Sequence, residues 1–327
     1  MRRTVRLAAV TAAALTAGVL INAPSASADL VTYCVGTGGA VTVPNDLYVP
    51  AGESCALTGT IVTGNVSVAA GANLVISGGR IDGQASIAGN GYLDVKDSDV
   101  GGEITLAAGG YGVYLQDATS GTVTVRPKGS ATVDSFLFAT ASSVEGSVNA
   151  QAGEVRLDEG TEVTGNLSTT GSYYTDLHDS FVDGTVSVLN SATGSVLCGS
   201  AVRGRSTFAG NLGGVQLGPD GALDTCASGG YFGADVSITN TTGGVTVADT
   251  IIDGKLTAQR NNPAAVVAPS NRIRGGVVGD PAAASSRSSA RSSAAASADR
   301  EERASERASE RRSDAVAEAV AAGAADL

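Results

Sequence analysis

Residues that could carry out chemistry are sparse in this sequence, and their spacing matches no catalytic set. The chain has one histidine, His178, so a zinc site or a Ser–His–Asp arrangement would depend on that residue alone. Aspartates recur at similar phases of a repeat and would form loose columns; they are Asp82, Asp97, Asp117, Asp179, Asp183, Asp249 and Asp253. Stacked carboxylates can bind calcium, but turn formation is the commoner role of aspartate. We therefore predict no catalytic, cofactor-binding or metal-binding residue, and no cofactor.

Three tyrosines are the candidate contact residues for a ligand: Tyr92, Tyr111 and Tyr174. Each follows a recurrent glycine by nine positions, so Tyr92 and Tyr111 should stack on successive repeats. Exposed tyrosines can form platforms for sugar rings, because one face of the ring is apolar and the hydroxyl is polar. We favour packing between repeats and keep sugar contact as the alternative.

The four cysteines are an even number, as expected for disulfides in an exported chain. Four cysteines allow three pairings. We favour the pairing in which each bond closes a short loop and the two bonds lie far apart in the sequence. These bonds are Cys34–Cys55 and Cys198–Cys226. The chain has no Cys-x-x-Cys motif, so the cysteines do not indicate a metal site.

An internal repeat explains how these residues are distributed. The segment VTGNVSV (Val62–Val68) recurs with its glycine in place and with apolar residues two positions before and after it. The recurrent glycines are Gly64, Gly83, Gly102, Gly121, Gly146, Gly165, Gly184, Gly204, Gly254 and Gly275. Alternation within the segment predicts a strand with one buried face, and the spacing predicts one coil of a solenoid per repeat. The glycine should point inward at a corner of the coil, where the backbone bends.

The predicted fold is all-β, a single-stranded parallel β-helix of about eleven coils with a 19–20-residue repeat. A right-handed coil is expected because parallel crossovers are usually right-handed. The repeats that begin at Gly121 and Gly204 are longer, and their extra residues should form loops, which in solenoids often lie on the binding face. The 44 glycines and the absence of tryptophan agree with an all-β chain that has many turns.

One segment carries a resemblance to a known group. VPAGESCALTGTIVTGNVSVAAGANL (Val49–Leu74), with its h-x-G-x-h-x-h units, resembles the secreted parallel β-helix proteins of actinobacteria and, more distantly, the polymer-forming bactofilins. The resemblance covers residues 30–280 and implies a β-helix architecture without implying an activity. This chain differs from bactofilins in its signal peptide, its cysteines and its longer coils.

The N-terminal region is typical of a secretory signal peptide. Residues 1–28 contain early arginines, the apolar run Leu7–Ile21 and a small-x-small cleavage site at Ala26–Ala28. The apolar run is shorter than the roughly 20 residues that span a membrane, so we expect no membrane insertion after signal cleavage. The expected location is therefore secreted or extracellular, with cell-wall association as a further option.

The mature chain divides into two regions. Residues 29–280 should form the β-helix domain, with an N-terminal cap held by the first disulfide. Residues 281–327 should form an Ala/Ser/Arg/Glu-rich linker and a solvated, partly helical or disordered tail, because this region has almost no apolar face. The net charge is −11, and an acidic body repels phosphates, so nucleic acid is not an expected partner.

These observations predict a secreted, non-enzymatic β-solenoid that acts as a structural or surface-interaction protein of the cell envelope or extracellular space. The alternative is a β-helix protein that binds or degrades polysaccharide, as a lyase or hydrolase does. The alternative predicts a cleft with converging acidic, arginine or tyrosine side chains beside the two long repeats. The expected partners are cell-wall or extracellular glycans, or other copies of the chain.

Overall fold

A computed structural model describes residues 30–219, 221–282 and 290–327, with the backbone alone over 290–298. The predicted signal peptide and most of the predicted linker lie outside the described residues. No described helix combines the length and the apolar character that a membrane crossing requires.

The described chain contains short strands and one long helix. In chain order they are β1 (Val31–Tyr33), β2 (Gly36–Gly38), β3 (Thr42–Val43), β4 (Asp46–Val49), β5 (Ser54–Thr58), β6 (Ile61–Val62), β7 (Val66–Val68), β8 (Asn73–Ser77), β9 (Arg80–Ile81), β10 (Ala85–Ile87), β11 (Tyr92–Lys96), β12 (Asp99–Val100), β13 (Ile104–Leu106), β14 (Gly112–Gln116), β15 (Thr119–Ser120), β16 (Val123–Val125), β17 (Phe136–Thr140), β18 (Ser143–Val144), β19 (Val148–Ala150), β20 (Glu154–Asp158), β21 (Glu162–Val163), β22 (Leu167–Thr170), β23 (Tyr174–His178), β24 (Phe181–Val182), β25 (Val186–Leu189), β26 (Gly194–Cys198), β27 (Ala201–Val202), β28 (Ser206–Ala209), β29 (Gly214–Leu217), β30 (Tyr231–Phe232), β31 (Val236–Thr239), β32 (Val245–Val247), β33 (Ile251–Ile252), β34 (Leu256–Gln259), β35 (Val266–Val267), β36 (Arg272–Ile273), β37 (Val277–Gly279) and α1 (Ala290–Ala322).

Every third strand belongs to the same parallel sheet, which is the topology of a β-solenoid. Sheet A runs from β1 to β37, sheet B from β2 to β35 and sheet C from β3 to β36. One strand from each sheet makes one coil, so the rod has about twelve coils. The prediction of an all-β parallel solenoid is confirmed, with a coil number close to the predicted eleven. Its handedness stays a prediction.

The core runs along the rod axis because apolar residues alternate in every strand. Val66, Ala85 and Ile104 are successive partners in sheet A, and all three are buried in one continuous apolar cluster. A solenoid coil buries its apolar face only against its neighbours. The regular register of the repeat is therefore what creates the core.

The recurrent glycine forms the corner between sheets C and A, although for a different reason from the one predicted. A Cβ on Gly83 would lie 2.5 Å from the Gly64 carbonyl oxygen of the preceding coil. The Gly83 amide donates a hydrogen bond to that oxygen (3.2 Å). The prediction that this residue points inward is therefore wrong: a side chain there would meet the neighbouring coil along the rod.

A second corner, between sheets B and C, uses four of the aspartates that recur in the sequence. Their φ angles lie in the left-handed region, at 48° for Asp97 and Asp117, 46° for Asp179 and 47° for Asp249. Aspartate tolerates this conformation better than most residues do. The interpretation of these four residues as turn formers is confirmed.

Both predicted disulfides are formed. Cys34–Cys55 joins the first two coils, with 5.6 Å between the Cα atoms. Cys198–Cys226 ties the long insertion after β29 back to β26, with a Cα separation of 5.4 Å. Each bond therefore fixes an irregular part of the rod to a regular strand.

Helix α1 folds back along sheet B, antiparallel to the direction in which the coils are added. Arg300 contacts Asp176 in β23, Glu318 contacts Ser54 in β5, and the Thr37 amide of β2 donates to the Gly323 carbonyl. Residues 300–318 rise about 27 Å in a helix, and six strand spacings from β23 to β5 amount to about 29 Å. The tail is therefore packed against the solenoid instead of being solvated on all sides.

A narrow apolar stripe on α1 makes this packing possible. The buried helix residues of this stripe are Ala304, Ala308, Ala315 and Ala319. Their spacing of three to four residues, or multiples of it, places them on one face of the helix. Because alanine is small, the helix backbone can approach the outward side chains of sheet B closely.

Candidate functional site

The outer face of sheet B carries buried polar and aromatic side chains, and α1 covers them. In β11 and β23 the residues at alternate positions, such as Leu93 and Leu177, face the core. Their neighbours Tyr92, Asp94 and Asp176 point outward and are nevertheless buried. We call this contact between α1 and sheet B the clasp. Its side chains are the candidate functional site.

The centre of the clasp is aromatic. Tyr92 and Tyr111 meet edge to face with 6.0 Å between ring centroids, and Phe136 and Phe138 stack at 4.4 Å. Ala304 and Ala308 of α1 pack against Tyr92 and both phenylalanines of this group. Both phenylalanines come from the sequence FLF after the first insertion, which forms β17.

The three predicted contact tyrosines all lie at the clasp. Tyr92 and Tyr111 lie on successive coils, as predicted, but their rings meet edge to face because the register pairs Tyr92 with Gly112. Tyr92 and Tyr174 are 0% and 2% exposed, so in this structure neither presents a ring face to an external ligand. Tyr111 is half-buried, and its hydroxyl donates to the Arg307 carbonyl (3.2 Å). Helix α1 therefore occupies the position that a sugar would take on these rings.

Ion pairs lock the C-terminal half of α1. Asp94 is fully buried; it pairs with Arg312 and accepts a hydrogen bond from the Tyr92 hydroxyl (2.6 Å). Burial raises the pKa of Asp94, although Arg312 and the Tyr92 hydroxyl act in the opposite direction. Arg311 donates to Asn73 Oδ1 (2.8 Å). A buried carboxylate needs such partners, so each one ties the helix to a particular coil.

The N-terminal half of α1 completes a second charged group around the chain's one histidine. His178 Nε2 lies 2.8 Å from Asp224 Oδ2 and 3.1 Å from Asp176 Oδ1. Arg300 donates to Asp176 Oδ2 (3.2 Å), and its guanidinium lies 3.5 Å from the centroid of the Tyr174 ring. Glu301 lies in the same group, close enough that ligand atoms of Asp176, His178, Asp224 and Glu301 are all within 4.8 Å of one another.

The electrostatics of this group favour positive charge. Burial lowers the pKa of His178, but hydrogen bonds and charges from Asp176 and Asp224 outweigh it and raise the value to about 10. Burial, with the neighbouring Asp224 and Asp176, raises the pKa of Glu301 to about 7. This group could not be identified from the sequence, because its members come from three distant segments. The available signal was Asp176-x-His178, which places two polar residues on one face of a strand.

The second insertion delivers Asp224 to the group. The disulfide Cys198–Cys226 holds one side of the loop. Gln216 holds the other: its Oε1 accepts hydrogen bonds from the amides of Leu223 (2.9 Å) and Asp224 (3.0 Å). The backbone around Asp224 is therefore fixed on both sides.

A cleft of about 440 Å³ opens between α1 and the first insertion. Its charged and aromatic lining includes Asp134, Glu154, Tyr173, Arg300, Arg303 and Arg307. Tyr173 is 50% exposed. A cleft with converging acidic, arginine and tyrosine side chains beside an insertion is what the polysaccharide alternative predicts.

The remaining acidic columns do not converge. Asp82, Asp183 and Asp253 lie at the sheet C corner, where each forms an ion pair with an arginine. The partners are Arg80, Arg203 and Arg274. These carboxylates are spread along the rod and are paired one by one, which does not suit acid–base catalysis by a pair of carboxylates.

Comparison of the chain with protein-family models, with curated proteins and with solved structures finds no match in any of the three. The assignment of function therefore depends on the geometry of the rod and of the clasp.

Proposed function

We propose that this chain is a secreted, non-enzymatic β-solenoid that acts as a structural or surface-interaction protein of the cell envelope or extracellular space. The observation that carries the proposal is the clasp. The outer face of sheet B gathers buried carboxylates and aromatic rings, and the chain's own helix covers it along most of the rod. A groove for polysaccharide cleavage along this face would need that surface to be open.

The outer face of sheet A supports the same proposal. The register places small polar side chains in one continuous column; they are Ser67, Ser86, Thr105, Thr124, Asn149, Ser168, Ser187, Thr207, Ser237 and Thr257. Hydroxyls and amides at these positions can contact a surface through hydrogen bonds. They supply no acid or base with a pKa near neutrality.

Two features support secretion. The two disulfides are stable in oxidising compartments and uncommon in the cytosol. The sequence of residues 1–28 has the basic, apolar and small-residue regions of a signal peptide. Export and cleavage near Asp29 can be checked by N-terminal sequencing of protein recovered from culture medium.

The experiment for the main proposal is a turnover assay with residues 29–327 on a panel of acidic and neutral polysaccharides. We expect no release of reducing or unsaturated sugars. Reproducible turnover that Asp176→Asn or Glu154→Gln abolishes would overturn the proposal, because it would place a catalytic carboxylate at the clasp.

A second function, polysaccharide binding, is favoured by the cleft beside the first insertion. The half-exposed ring of Tyr173 and the guanidinium of Arg303 both line this cleft. Aromatic rings stack on the apolar faces of sugars, and arginine binds carboxylates of acidic sugars. Glycan-array binding by the mature chain tests it: Tyr173→Ala should weaken binding, whereas Tyr33→Ala, at a tyrosine exposed on sheet A, should not. Equal loss in both variants, or no binding, would exclude the cleft.

A further inference from the structure

We propose that four side chains at the clasp bind one divalent metal ion of the zinc class. They are Asp176, His178, Asp224 and Glu301. This site goes beyond the proposed function and does not depend on it.

The distances suit one ion. Around tetrahedral zinc, ligand atoms bonded at 2.0–2.2 Å lie roughly 3.3–3.6 Å apart. His178 Nε2 is 2.8 Å from Asp224 Oδ2 and 3.1 Å from Asp176 Oδ1. All four candidate ligand atoms fall within 4.8 Å of one another. Side-chain adjustments on the order of 1 Å would bring all four to coordination distance.

One buried oxygen points into the group without a hydrogen bond. His178 Nε2 carries at most one proton, and its hydrogen bond is with Asp224. Asp176 Oδ1 is then left with no hydrogen-bond partner among the described residues, although its side chain is 1% exposed. Its contact is the ion pair with His178 Nε2 (3.1 Å), and a buried carboxylate oxygen that accepts no hydrogen bond is costly. A cation bound between these residues would satisfy it.

The rest of the group is built to hold its members in place. Asp176 and His178 are two residues apart on β23, so they share one face of a rigid strand. Asp224 is fixed by the adjacent disulfide and by Gln216. If the rod merely tolerated this loop as an insertion, the backbone around Asp224 would not need to be held on both sides. The bracing makes sense if the position of the carboxylate matters.

The donor set indicates the kind of ion. One imidazole nitrogen with carboxylate oxygens suits zinc and its neighbours, whereas calcium and magnesium prefer oxygen donors alone. Cys198 also lies in the group, but its sulfur is in a disulfide and supplies no thiolate. Arg300 opposes a cation, and it is engaged with the other oxygen of Asp176. Three carboxylates outweigh its single charge, and a bound ion would take the place of the proton on His178 Nε2.

Such an ion would be structural. All four coordination positions of tetrahedral zinc could be filled by the protein, which is the pattern of closed, non-catalytic sites. The ligands come from β23, the second insertion and α1, so the ion would join all three. By linkage, metal binding should stabilise the docked helix.

The test uses the untagged mature chain after treatment with a chelator, with Zn²⁺ alone as the probe. We expect titration calorimetry and elemental analysis to show one Zn²⁺ per chain. Loss of a residue that only supports a metal ligand commonly lowers metal affinity by about 10–100-fold. Asp224→Asn and His178→Gln each remove a ligand itself, so we expect each to lower the affinity for Zn²⁺ by more than about tenfold. Glu162→Gln, which changes an exposed carboxylate on β21, is the matched control and should bind as the wild type does.

Three results would overturn the proposal: no stoichiometric binding, unchanged affinity in the ligand variants, or binding of Ca²⁺ alone that His178→Gln does not affect. Circular dichroism would show whether a variant has unfolded. If Asp224→Asn unfolds, Glu301→Gln decides, because Glu301 lies on α1 outside the solenoid. As an independent readout, Co²⁺ bound by the wild type should give tetrahedral d–d absorption that Glu301→Gln weakens.

Discussion

At the scale of single residues, the glycine corner sets how closely neighbouring coils approach. A Cβ on Gly83 would lie 2.5 Å from a backbone oxygen, which cannot move without disturbing the next coil. We expect Gly83→Ala to destabilise the protein by about 1–3 kcal/mol, the usual range for overpacking. Urea unfolding would measure it. Gly39→Ala is the control, since a Cβ there meets nothing within 4 Å; equal effects of both variants would contradict the packing argument.

The buried carboxyl of Asp94 predicts a pH dependence. Its pKa in the folded state is raised, chiefly by burial, with Arg312 and the Tyr92 hydroxyl acting against the shift. A carboxyl with a raised folded pKa stabilises the fold while it is protonated. That contribution is lost as pH rises from the unfolded pKa, about 3.9, through the folded pKa.

Asp94→Asn should remove this dependence, because asparagine stays neutral. The stability of the wild type relative to Asp94→Asn should therefore fall as pH rises above about 4, and should level off above the folded pKa. The ion pair with Arg312 forms only with ionised Asp94, so its effect is already contained in the folded pKa and adds no separate pH dependence. Denaturant unfolding of both proteins across pH measures the difference; a difference that is flat, or that rises with pH, would contradict the buried-charge argument.

Some of these residue-level features could be predicted from the sequence, and others could not. Repetition made the core positions and the turn aspartates predictable, and the short loops that the two bonds close made both disulfides predictable. Asp176, Asp224 and Glu301 could not be grouped with His178 from spacing. They meet only because an insertion and a distant helix both return to the same face of sheet B.

At the scale of elements, α1 is the feature that sequence patterning identified least well. Alanine is so frequent in the tail that the buried stripe containing Ala304 and Ala308 does not stand out from exposed alanines such as Ala317. The binding partners of its arginines are on the solenoid, in Asp94 and Asp176, so the tail alone looks solvated. Docking, not intrinsic amphipathicity, decides the structure of this segment.

Limited trypsin digestion tests the docking of α1. The helix contains arginines that a docked backbone should protect, because proteolysis requires local opening. Ala308→Glu would force a longer, charged side chain into the fully buried contact with Phe136 and Phe138, so we expect cleavage within α1 to accelerate by more than about tenfold. Ala317→Glu, at an exposed position of the same helix, should cleave at the wild-type rate. Equal rates in the two variants would show that the stripe does not hold the helix.

At the scale of the whole molecule, the ends of the rod determine whether it can join other copies. Parallel strands leave unpaired edges at both ends of a solenoid, and such edges favour association. At one end of sheet B, Thr37 bridges to Ala324, and at the other Val266 bridges to Ala282. The chain therefore covers both edges of sheet B with its own backbone, which argues for a discrete rod instead of a filament grown through this sheet.

Deletion of residues 323–327 tests this role of the C-terminus. The deletion removes the acceptor of the Thr37 amide and the Ala325 amide that donates to Thr37 (2.8 and 2.9 Å), and it removes Leu327, which packs on the core. We expect a lower melting temperature and association that increases with concentration, because the β2 edge becomes free. Light scattering coupled to size-exclusion chromatography measures the association, with Asp326→Asn as a control that leaves the pairing intact. A deletion variant that stays monomeric and as stable as the full chain would mean that other parts of the first coil protect this end.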